Sequence, residues 1–286
     1  MTRLFALSDL HLDFPANQAK FDALSATDYQ DAALLMPGDL THDLGRLEAA
    51  LVAAVSKFAE VFFVPGNHEL WLREDKFEDS LAKFDAVLAL CEQCGARTSP
   101  LRLDGVWVVP LFSWYVKPEE GEDSLHGDKP GEDRTLRMWL DNHFVRWPSL
   151  PEGETAADEF SRRNRSRVRT YDAPVVSLSH FLPRTDLMYR TPEERAQDIP
   201  YVPDRMPSFN FSSVAGTKAL EREIRSIGSA VHVYGHQHRN RDRMVEGVRY
   251  VSHCLGYPRE YEAIGEDVGG PLQVWPMGSQ ETTKPA

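Results

Sequence analysis

The chain has little cysteine: only Cys91, Cys94 and Cys254 occur among its 286 residues. Such an odd and sparse set does not indicate a disulfide framework, which is consistent with a reducing compartment. Cys91 and Cys94 are spaced like half of a zinc site, but no second pair exists to complete it. Because positions three apart share one face of a helix, we favour the simpler interpretation of two small residues packed within a helix.

Long apolar runs are also missing. Nowhere do about 18 apolar residues follow one another, so no membrane-spanning helix is expected. The segment before Asp9 carries one cation, Arg3, and its apolar stretch is too short for a signal peptide. We therefore expect a cytoplasmic protein that makes no contact with a membrane.

Positive charge is scarce, with 32 Lys and Arg side chains against 44 Asp and Glu and a formal net charge of −12. This balance opposes binding to nucleic acid or to anionic membranes, because a positive field attracts those partners. The basic run at 161–169 follows an acidic stretch and is more typical of the polar side of a helix. A small anionic substrate stays possible, since a bound cation can reverse the sign of the field in one cleft.

What the sequence does contain is a series of short apolar runs, each about the length of a buried strand. The five clearest are 4–7, 32–36, 61–64, 175–178 and 231–234. Apolar residues recur at helical spacing over 44–55 and 81–91, and this alternation predicts a layered α/β architecture. Later runs at 106–109, 248–251 and 272–275 resemble hairpin strands, so we expect a mixed sheet or two stacked sheets.

Composition also suggests how the chain is divided. The stretch 117–134 is rich in Gly, Pro, Asp and Glu and has no apolar period, which is typical of a surface loop or lid. Residues 183–211 contain five prolines and predict an ordered but irregular excursion. We expect a single domain over 1–276, with insertions near 115–135 and 183–211, followed by a polar, frayed tail over 277–286.

Polar residues suited to chemistry follow the five predicted strands, at the point where each strand ends. They are Asp9 and His11 after the first, Asp39 after the second, Asn67 and His68 after the third, His180 after the fourth, and His236 and His238 after the fifth. In open α/β sheets, ligands bind outside the carboxyl ends of strands. One such residue after one strand would be an ordinary turn or cap residue. Because all five predicted strands end in residues of this kind, the sequence predicts a shared metal site.

The types of ligand narrow the choice of metal. Imidazole nitrogens mixed with carboxylate and amide oxygens, without thiolates, suit Mn, Fe or Zn better than a structural zinc site. These candidate ligands exceed the needs of one tetrahedral ion, whereas two ions bridged by a carboxylate would use them. Because Asp9 and Asp39 neutralise only part of the charge of two divalent ions, the surplus would attract phosphate oxygen and hydroxide.

This order of motifs resembles the calcineurin-like metallophosphoesterase superfamily of dinuclear metal phosphoesterases. The pattern D-x-H, G-D, G-N-H-[DE], a lone His and G-H-x-H is matched over about residues 3–256. The resemblance implies a four-layer α/β/β/α fold of two mixed sheets flanked by helices. It also implies one metal held by Asp9, His11, Asp39 and His238, and a second held by Asp39, Asn67, His180 and His236.

A mechanism follows from the chemistry and the resemblance together. Water held between two divalent ions loses a proton near neutral pH, which gives a metal-bridging hydroxide for in-line attack on phosphorus. Asp39 would bridge the ions, and the ions would neutralise charge on the phosphoryl oxygens. His68 is not a ligand in the family, and it would stabilise the phosphoryl oxygens or protonate the leaving group.

One motif departs from a branch of the family. Ser/Thr protein phosphatases continue G-D-x-x-D-R-G, where the second Asp orients the catalytic His and the Arg grips phosphate. Here His42 stands at the Asp position and Asp43 at the Arg position. This departure argues against that branch. It leaves open whether Asp43 or Glu69 orients His68, and whether His42 supports the site or is a solvated loop residue.

Several residues are candidates for contact with the substrate. Trp114 and Tyr115 could shape the pocket. Arg184, Arg239 or Arg259 could meet a phosphate or a carboxylate, although a solvated position is the more common one for each arginine.

Two hydrolytic functions remain. The first hypothesis is hydrolysis of phosphate monoesters, either of a small molecule or of a phosphoprotein. The alternative is a phosphodiesterase that acts on cyclic nucleotides or other diesters with the same dinuclear site. The negative net charge opposes a nuclease, and a non-catalytic scaffold is disfavoured because all seven ligand positions are filled.

Overall fold

The computed structural model describes residues 2–73, 76–192, 206–261, 268 and 270–277, to which the following refers. Its strands are β1 (Arg3–Ala6), β2 (Ala32–Pro37), β3 (Glu60–Val64), β4 (Leu101–Leu103), β5 (Val106–Pro110), β6 (Val175–Leu178), β7 (Ser229–Tyr234), β8 (Arg241–Val245), β9 (Val248–Ser252) and β10 (Leu272–Trp275). They form a four-stranded sheet in the order β10-β1-β2-β3 and a six-stranded sheet in the order β4-β5-β6-β7-β9-β8.

Helices connect many of these strands. They are α1 (Pro15–Asp22), α2 (Leu44–Lys57), α3 (Ser80–Cys94), α4 (Asp141–Phe144), α5 (Ala156–Asn164) and α6 (Lys218–Ser226). Side-chain caps explain where the longer ones begin, because an aspartate or threonine accepts a backbone N–H that has no partner within the helix. Asp43 caps α2 and Asp79 caps α3 in this way. Thr155 and Asp158 form a capping box at α5.

The two sheets pack face to face between two layers of helix. Alternate side chains of the strands point to opposite sides of each sheet, so Leu35 of β2 joins Val176 and Val233 in the core between the sheets. The other side of the first sheet packs on α2 and α3. On the far side of the second sheet, Leu220 and Ile224 of α6 are buried. The predicted four-layer α/β/β/α fold is confirmed.

The hairpin prediction is correct for two of the three late runs. β5 and β9 each pair antiparallel with a short neighbour, β4 and β8, and pair parallel with β6 and β7 on their other edge. The prediction is wrong for 272–275, because β10 pairs antiparallel with β1 at the opposite end of the chain. A hairpin requires strands that follow each other in sequence, and this pair does not.

The two irregular segments contact each other. The backbone N–H of Asp133 donates to the carbonyl of Ser208 at 2.7 Å, and Asn210 Nδ2 donates to the carbonyl of Gly127 at 2.8 Å. Residues 193–205 of the second segment and the tail from 278 lie outside the described residues, and the division into one domain with two insertions stays a prediction. None of the described helices is both long enough and apolar enough to cross a membrane.

The carboxyl ends of five strands come together at one edge of the two sheets. β1, β2 and β3 run parallel in the first sheet, as do β6 and β7 in the second. β2 also packs against β6 and β7 across the interface. A parallel bridge between Ser8 and Cys254 joins the chain after β1 to the chain after β9. The loops that follow these strands therefore share one location.

Candidate metal centre

All seven predicted ligands lie in the loops at this edge, and each is buried. Their exposed fractions are 0% for Asp9, 1% for His11, 2% for Asp39, 2% for Asn67, 0% for His180, 6% for His236 and 7% for His238. Buried ionisable side chains at this density are costly unless they are paired or bind a cation. The tertiary structure thus brings together every residue that the motifs predicted as a ligand.

The backbone at these positions is unusual. Five of the ligands take positive φ, namely Asp9, His11, Asp39, His236 and His238, with φ values of 51°, 42°, 56°, 73° and 52°. Residues other than glycine rarely adopt this left-handed conformation, and it costs of order 1–3 kcal/mol per residue. Strain of this kind clusters at functional sites, where the surrounding structure enforces it.

Two glycines allow the loops to approach each other. A Cβ atom on Gly235 would lie 2.7 Å from Asp9 Oδ2, and a Cβ on Gly66 would overlap Asp39 Oδ1. These positions therefore require glycine because of close approach, which explains why each precedes a predicted ligand.

The ligand atoms fall into two clusters that share one carboxylate. The first contains Asp9, His11, Asp39 and His238, and the second contains Asp39, His180 and His236; within each, the atoms lie within 4.8 Å of one another. The amide oxygen of Asn67 joins the second cluster, 3.1 Å from His180 Nε2. These groups match the two ligand sets implied by the resemblance, and they could hold two ions bridged by Asp39.

The histidines of the second cluster are turned so that lone pairs converge. His180 Nδ1 lies 2.8 Å from the carbonyl of Pro37, and His236 Nε2 lies 2.9 Å from the carbonyl of Val214. A carbonyl can only accept, so each of these nitrogens carries the proton. The other two, His180 Nε2 and His236 Nδ1, then face each other at 3.2 Å as acceptors. Two facing lone pairs repel, and a cation between them would remove the repulsion.

Burial keeps these two histidines neutral. It lowers the pKa of His180 and of His236, in the latter case together with the neighbouring His180. A metal binds the neutral imidazole, so no proton needs to leave either ring before binding. The second cluster fits a divalent ion both in its geometry and in its protonation state.

The first cluster is built around His238. Its Nδ1 lies 2.7 Å from Glu260 Oε2, while its Nε2 faces His11 Nε2 at 2.9 Å and Asp9 Oδ1 at 3.5 Å. Burial lowers the pKa of His238, but hydrogen bonds to Asp9 and Glu260 outweigh it and raise the pKa to about 9. Without a metal, the proton on His238 balances these carboxylates. A divalent ion would take the place of that proton.

Asp39 is crowded by negative charge. Burial raises its pKa, and the neighbouring Glu69 and Asp9 raise it further. The Glu69 carboxylate accepts hydrogen bonds from the backbone N–H groups of Gly66, Asp39, Leu40 and Thr41. Glu69 therefore fixes the loop that carries Asp39, and a cation beside Asp39 would offset the repulsion between the carboxylates.

His68 lies at the edge of the centre and is 8% exposed. Its ring packs against that of Trp71, with 3.7 Å between centroids and 31° between the ring planes. Its Nε2 is 3.8 Å from Asp39 Oδ2 and 3.3 Å from the hydroxyl of Tyr257. The imidazole thus points its Nε2 towards the carboxylate that the two clusters share.

Neither carboxylate considered for orienting His68 does so. Asp43 accepts the backbone N–H of Arg46 and caps α2, and the Glu69 carboxylate is engaged with the loop amides. Backbone N–H groups therefore occupy carboxylate oxygens of both side chains, the two alternatives that the sequence left open for orienting His68. His42 is a partly exposed loop residue whose Nδ1 lies 3.6 Å from Asp13 Oδ1.

Three side chains that support the centre carry no motif. Asp141 accepts from Asn67 Nδ2 at 2.9 Å and from Trp71 Nε1 at 2.6 Å, which turns the Asn67 amide oxygen towards His180. Glu260 holds His238, and Tyr257 meets His68. No local pattern marks them, because each contacts a partner that is distant in the sequence.

Of the residues that the sequence suggested for contact with the substrate, some lie near the centre and one lies on the surface. Trp114 and Tyr115 line a cavity of about 440 Å³ that also contains Asp141. Arg239 donates to the carbonyl of His238 at 2.8 Å, and Arg259 lies 4.9 Å from the centre of the Tyr257 ring. Arg184 instead pairs with Asp186, Glu221 and Glu246.

The basic run has internal partners. Arg162 pairs with Glu154 and Glu159, and Arg163 pairs with Glu159 and Asp85. Arg167 contacts backbone carbonyls beneath the ring of Phe112. These contacts fit the interpretation of the run as part of a solvated helix and the loop that follows it.

Cys91 is buried within α3, and the three cysteines are free.

The family model described as calcineurin-like phosphoesterase matches residues 2–240. The chain belongs to this family. It is therefore a metal-dependent phosphoester hydrolase, and the resemblance inferred from the motifs is confirmed.

The phosphoesterase is similar, in sequence and in structure, to a named protein of Mycobacterium tuberculosis. It is 27% identical over 273 residues to an [acyl-carrier-protein] phosphodiesterase, PptH, of Mycobacterium tuberculosis, covering 90% of this chain and 79% of the relative. Its structure is similar to the crystal structure of phosphopantetheinyl hydrolase (PptH) from the same organism, with a TM-score of 0.74, 23% identity and 96% of each chain covered. The structural likeness supports the fold.

Proposed function

We propose that the phosphoesterase hydrolyses a phosphodiester with a dinuclear metal centre. The proposal is carried by one observation, the two clusters of buried ligand atoms that share Asp39. One ion would be held by Asp9, His11, Asp39 and His238, and the other by Asp39, Asn67, His180 and His236. The mixture of imidazole and oxygen ligands suits Mn, Fe or Zn.

The protein side chains have separate tasks in this proposal. When bound, the two ions would generate a nucleophile from water near neutral pH and neutralise the phosphoryl oxygens. Asp39, which belongs to both clusters, would keep the two clusters of ligands at a fixed separation. His68, whose Nε2 faces Asp39 at 3.8 Å, would hold a proton for the leaving oxygen or donate a hydrogen bond to a phosphoryl oxygen.

Two considerations favour a diester over a monoester. The relative of Mycobacterium tuberculosis bears the name of a phosphodiesterase. A monoester also carries nearly one more negative charge than a diester near neutral pH, and among the described residues the arginine side chains predicted to meet it contact partners other than the ligand side chains. Arg184 is bound by carboxylates, and Arg239 contacts the carbonyl of His238.

The relative also suggests a substrate class. We propose a diester that joins a phosphopantetheine-like arm to a carrier protein, so that the macromolecular partner would be this carrier protein. A reducing, cytoplasmic location fits the three free cysteines.

The test compares two chromogenic esters. With Mn²⁺ added, kcat/KM for bis-p-nitrophenyl phosphate is expected to exceed that for p-nitrophenyl phosphate by about tenfold or more, the size of a selective interaction with one ester class. Preference for the monoester would overturn the proposal and restore the monoester hypothesis. A phosphopantetheinylated carrier protein, analysed by mass spectrometry for loss of its arm, tests the substrate class.

A matched pair of variants tests the centre. Asp39→Asn is expected to lower both metal content and kcat by about 100-fold or more, since it removes the charge that the two ions would share. Asp22→Asn changes an exposed aspartate at the end of α1 and is expected to leave both unchanged. Full activity of Asp39→Asn would exclude the proposed centre.

A further inference from the structure

A tyrosine outside the family motifs contacts His68. The family model ends at residue 240, whereas Tyr257 lies beyond it. The Tyr257 hydroxyl lies 3.3 Å from His68 Nε2. Within the described residues it is the hydrogen-bond partner of the His68 side chain.

The ring of Tyr257 spans the first cluster as well. Its centre lies 4.3 Å from that of His11 and 4.9 Å from that of His238. One side chain therefore covers two proposed ligands and reaches His68 with its hydroxyl. A partly buried tyrosine is suited to this because the ring packs while the hydroxyl bonds.

The backbone that carries Tyr257 is fixed to the loop after β1. The N–H of Gly256 donates to the carbonyl of Asp9 at 2.9 Å, and Asn17 Nδ2 donates to the carbonyl of Gly256 at 2.8 Å. Glu260 Oε2 accepts both the N–H of Tyr257, at 3.0 Å, and Nδ1 of His238. The position of the Tyr257 hydroxyl is thus set by the same contacts that set two proposed ligands.

His68 is constrained on its faces by other rings. Trp71 packs against it at a tilt with 3.7 Å between centroids, and His11 meets it edge-on at 4.6 Å. Ring contacts of this kind fix the plane of an imidazole but leave the two orientations related by a half-turn close in shape. A hydrogen bond to Nε2 distinguishes them.

We propose that Tyr257 is a positioning residue for His68, whose hydroxyl holds Nε2 towards the metal centre where Asp43 and Glu69 do not act. This inference rests on the proposed function and on the first of the two roles that it gives to His68, which is to hold a proton for the leaving oxygen. It assigns a task in the reaction to the C-terminal segment that follows the last family motif.

The test uses the dependence on the leaving group. A leaving group that is strongly basic needs a proton in the transition state, whereas p-nitrophenolate leaves without one. Tyr257→Phe is expected to lower kcat about tenfold with diphenyl phosphate and less than about threefold with bis-p-nitrophenyl phosphate, with KM and metal content unchanged. Tyr171→Phe removes a hydroxyl that donates to the carbonyl of Arg167 at 2.7 Å, ahead of the amino end of β6 and not at the carboxyl end that leads to the centre, and should match the unmodified protein on both esters.

Equal losses on the two esters, or a loss of metal, would overturn the inference, because a purely structural role of Tyr257 predicts them. A second measurement does not depend on activity. In zinc-loaded protein, the ring-nitrogen NMR resonances of His68 are expected to shift in Tyr257→Phe and not in Tyr171→Phe. Unchanged resonances would also overturn the inference. If the unmodified protein cleaves neither ester, the proposed function fails, and the NMR shift alone decides whether Tyr257 holds His68.

Discussion

The Glu260 carboxylate lies 2.7 Å from Nδ1 of His238 and thereby leaves Nε2 of that ring facing Asp9 and His11. A carboxylate behind a histidine ligand fixes the tautomer and makes the ring a better donor to metal. Glu260 lies outside the region matched by the family model, so the first cluster depends on a residue that the motifs do not include.

Replacing this carboxylate should weaken metal binding. Glu260→Gln is expected to reduce affinity for the Mn²⁺ or Zn²⁺ ion of the first cluster by about 10- to 100-fold, the usual effect of losing such a partner. Isothermal titration calorimetry on metal-free protein measures it. Glu246→Gln is the control, since the exposed Glu246 pairs with Arg184 and Arg225 on the surface. Equal affinities in the two variants would exclude the role of Glu260.

Metal binding to the first cluster should depend on pH. His238 has a pKa of about 9 when hydrogen bonds to Asp9 and Glu260 outweigh its burial, so its ring carries a proton at neutral pH and metal must displace it. As pH falls from 8 to 6, the unprotonated fraction falls about a hundredfold, and the affinity should fall by at least that factor. Titrations at both pH values with the same metal buffer test this. Affinity that does not change with pH would contradict it.

The second cluster should depend on Asp141. This buried carboxylate accepts from Asn67 Nδ2 and Trp71 Nε1, so its removal frees the Asn67 amide to rotate its oxygen away from His180. Asp141→Ala is expected to lower occupancy of one ion and leave the other bound, with about 10- to 100-fold weaker affinity at the affected site. Metal analysis after dialysis against graded chelator distinguishes one lost ion from two. Loss of both ions together would show that Asp141 supports the fold of the whole centre.

Stability should change with pH through Glu223 on α6. Burial raises its pKa from 4.5 to about 7, although Asn164 and Ser161 donate to it. The folded state therefore binds this proton more tightly than the unfolded state does. Between pH 4.5 and 7 the free energy of unfolding should fall as pH rises, by about 2–3 kcal/mol in total.

Glu223→Gln removes this titration. The variant should be more stable than the unmodified protein at pH 8, and the difference should vanish near pH 4.5. Urea unfolding of metal-free protein at the two pH values measures it, with Glu92→Gln, which changes an exposed residue of α3, as the control. A Glu223→Gln variant that is less stable at pH 8 would show that the carboxylate is needed as an acceptor for Asn164.

Local patterns predicted most of the elements. Helical spacing over 44–55 and 81–91 corresponds to α2 and α3, and the five apolar runs correspond to β1, β2, β3, β6 and β7. These predictions succeed because the period of burial is set within a few residues of the chain. The pairing of β10 with β1 was not predictable in this way, since it joins segments about 270 residues apart.

The candidate site divides along the same line. Its ligands follow strand ends, so their positions could be read from short motifs. The side chains that hold the ligands and His68 in place could not be read from short motifs, because they are distant in the sequence. Asp141 lies 74 residues from Asn67, and Tyr257 lies 189 residues from His68. Glu69 follows His68 directly and Asp43 lies 25 residues before it, but the sequence does not show which backbone N–H groups bind their oxygens.

The sequence by itself determined the alternation of strands and helices, the order of the motifs and the identity of the proposed ligands, because each depends on residues close together in the chain. Only the tertiary structure decided which nitrogen of each histidine faces the centre, which carboxylate stands behind it and what holds His68. Those choices depend on hydrogen bonds between loops that meet only when the two sheets pack. Local propensity carries no information about such contacts.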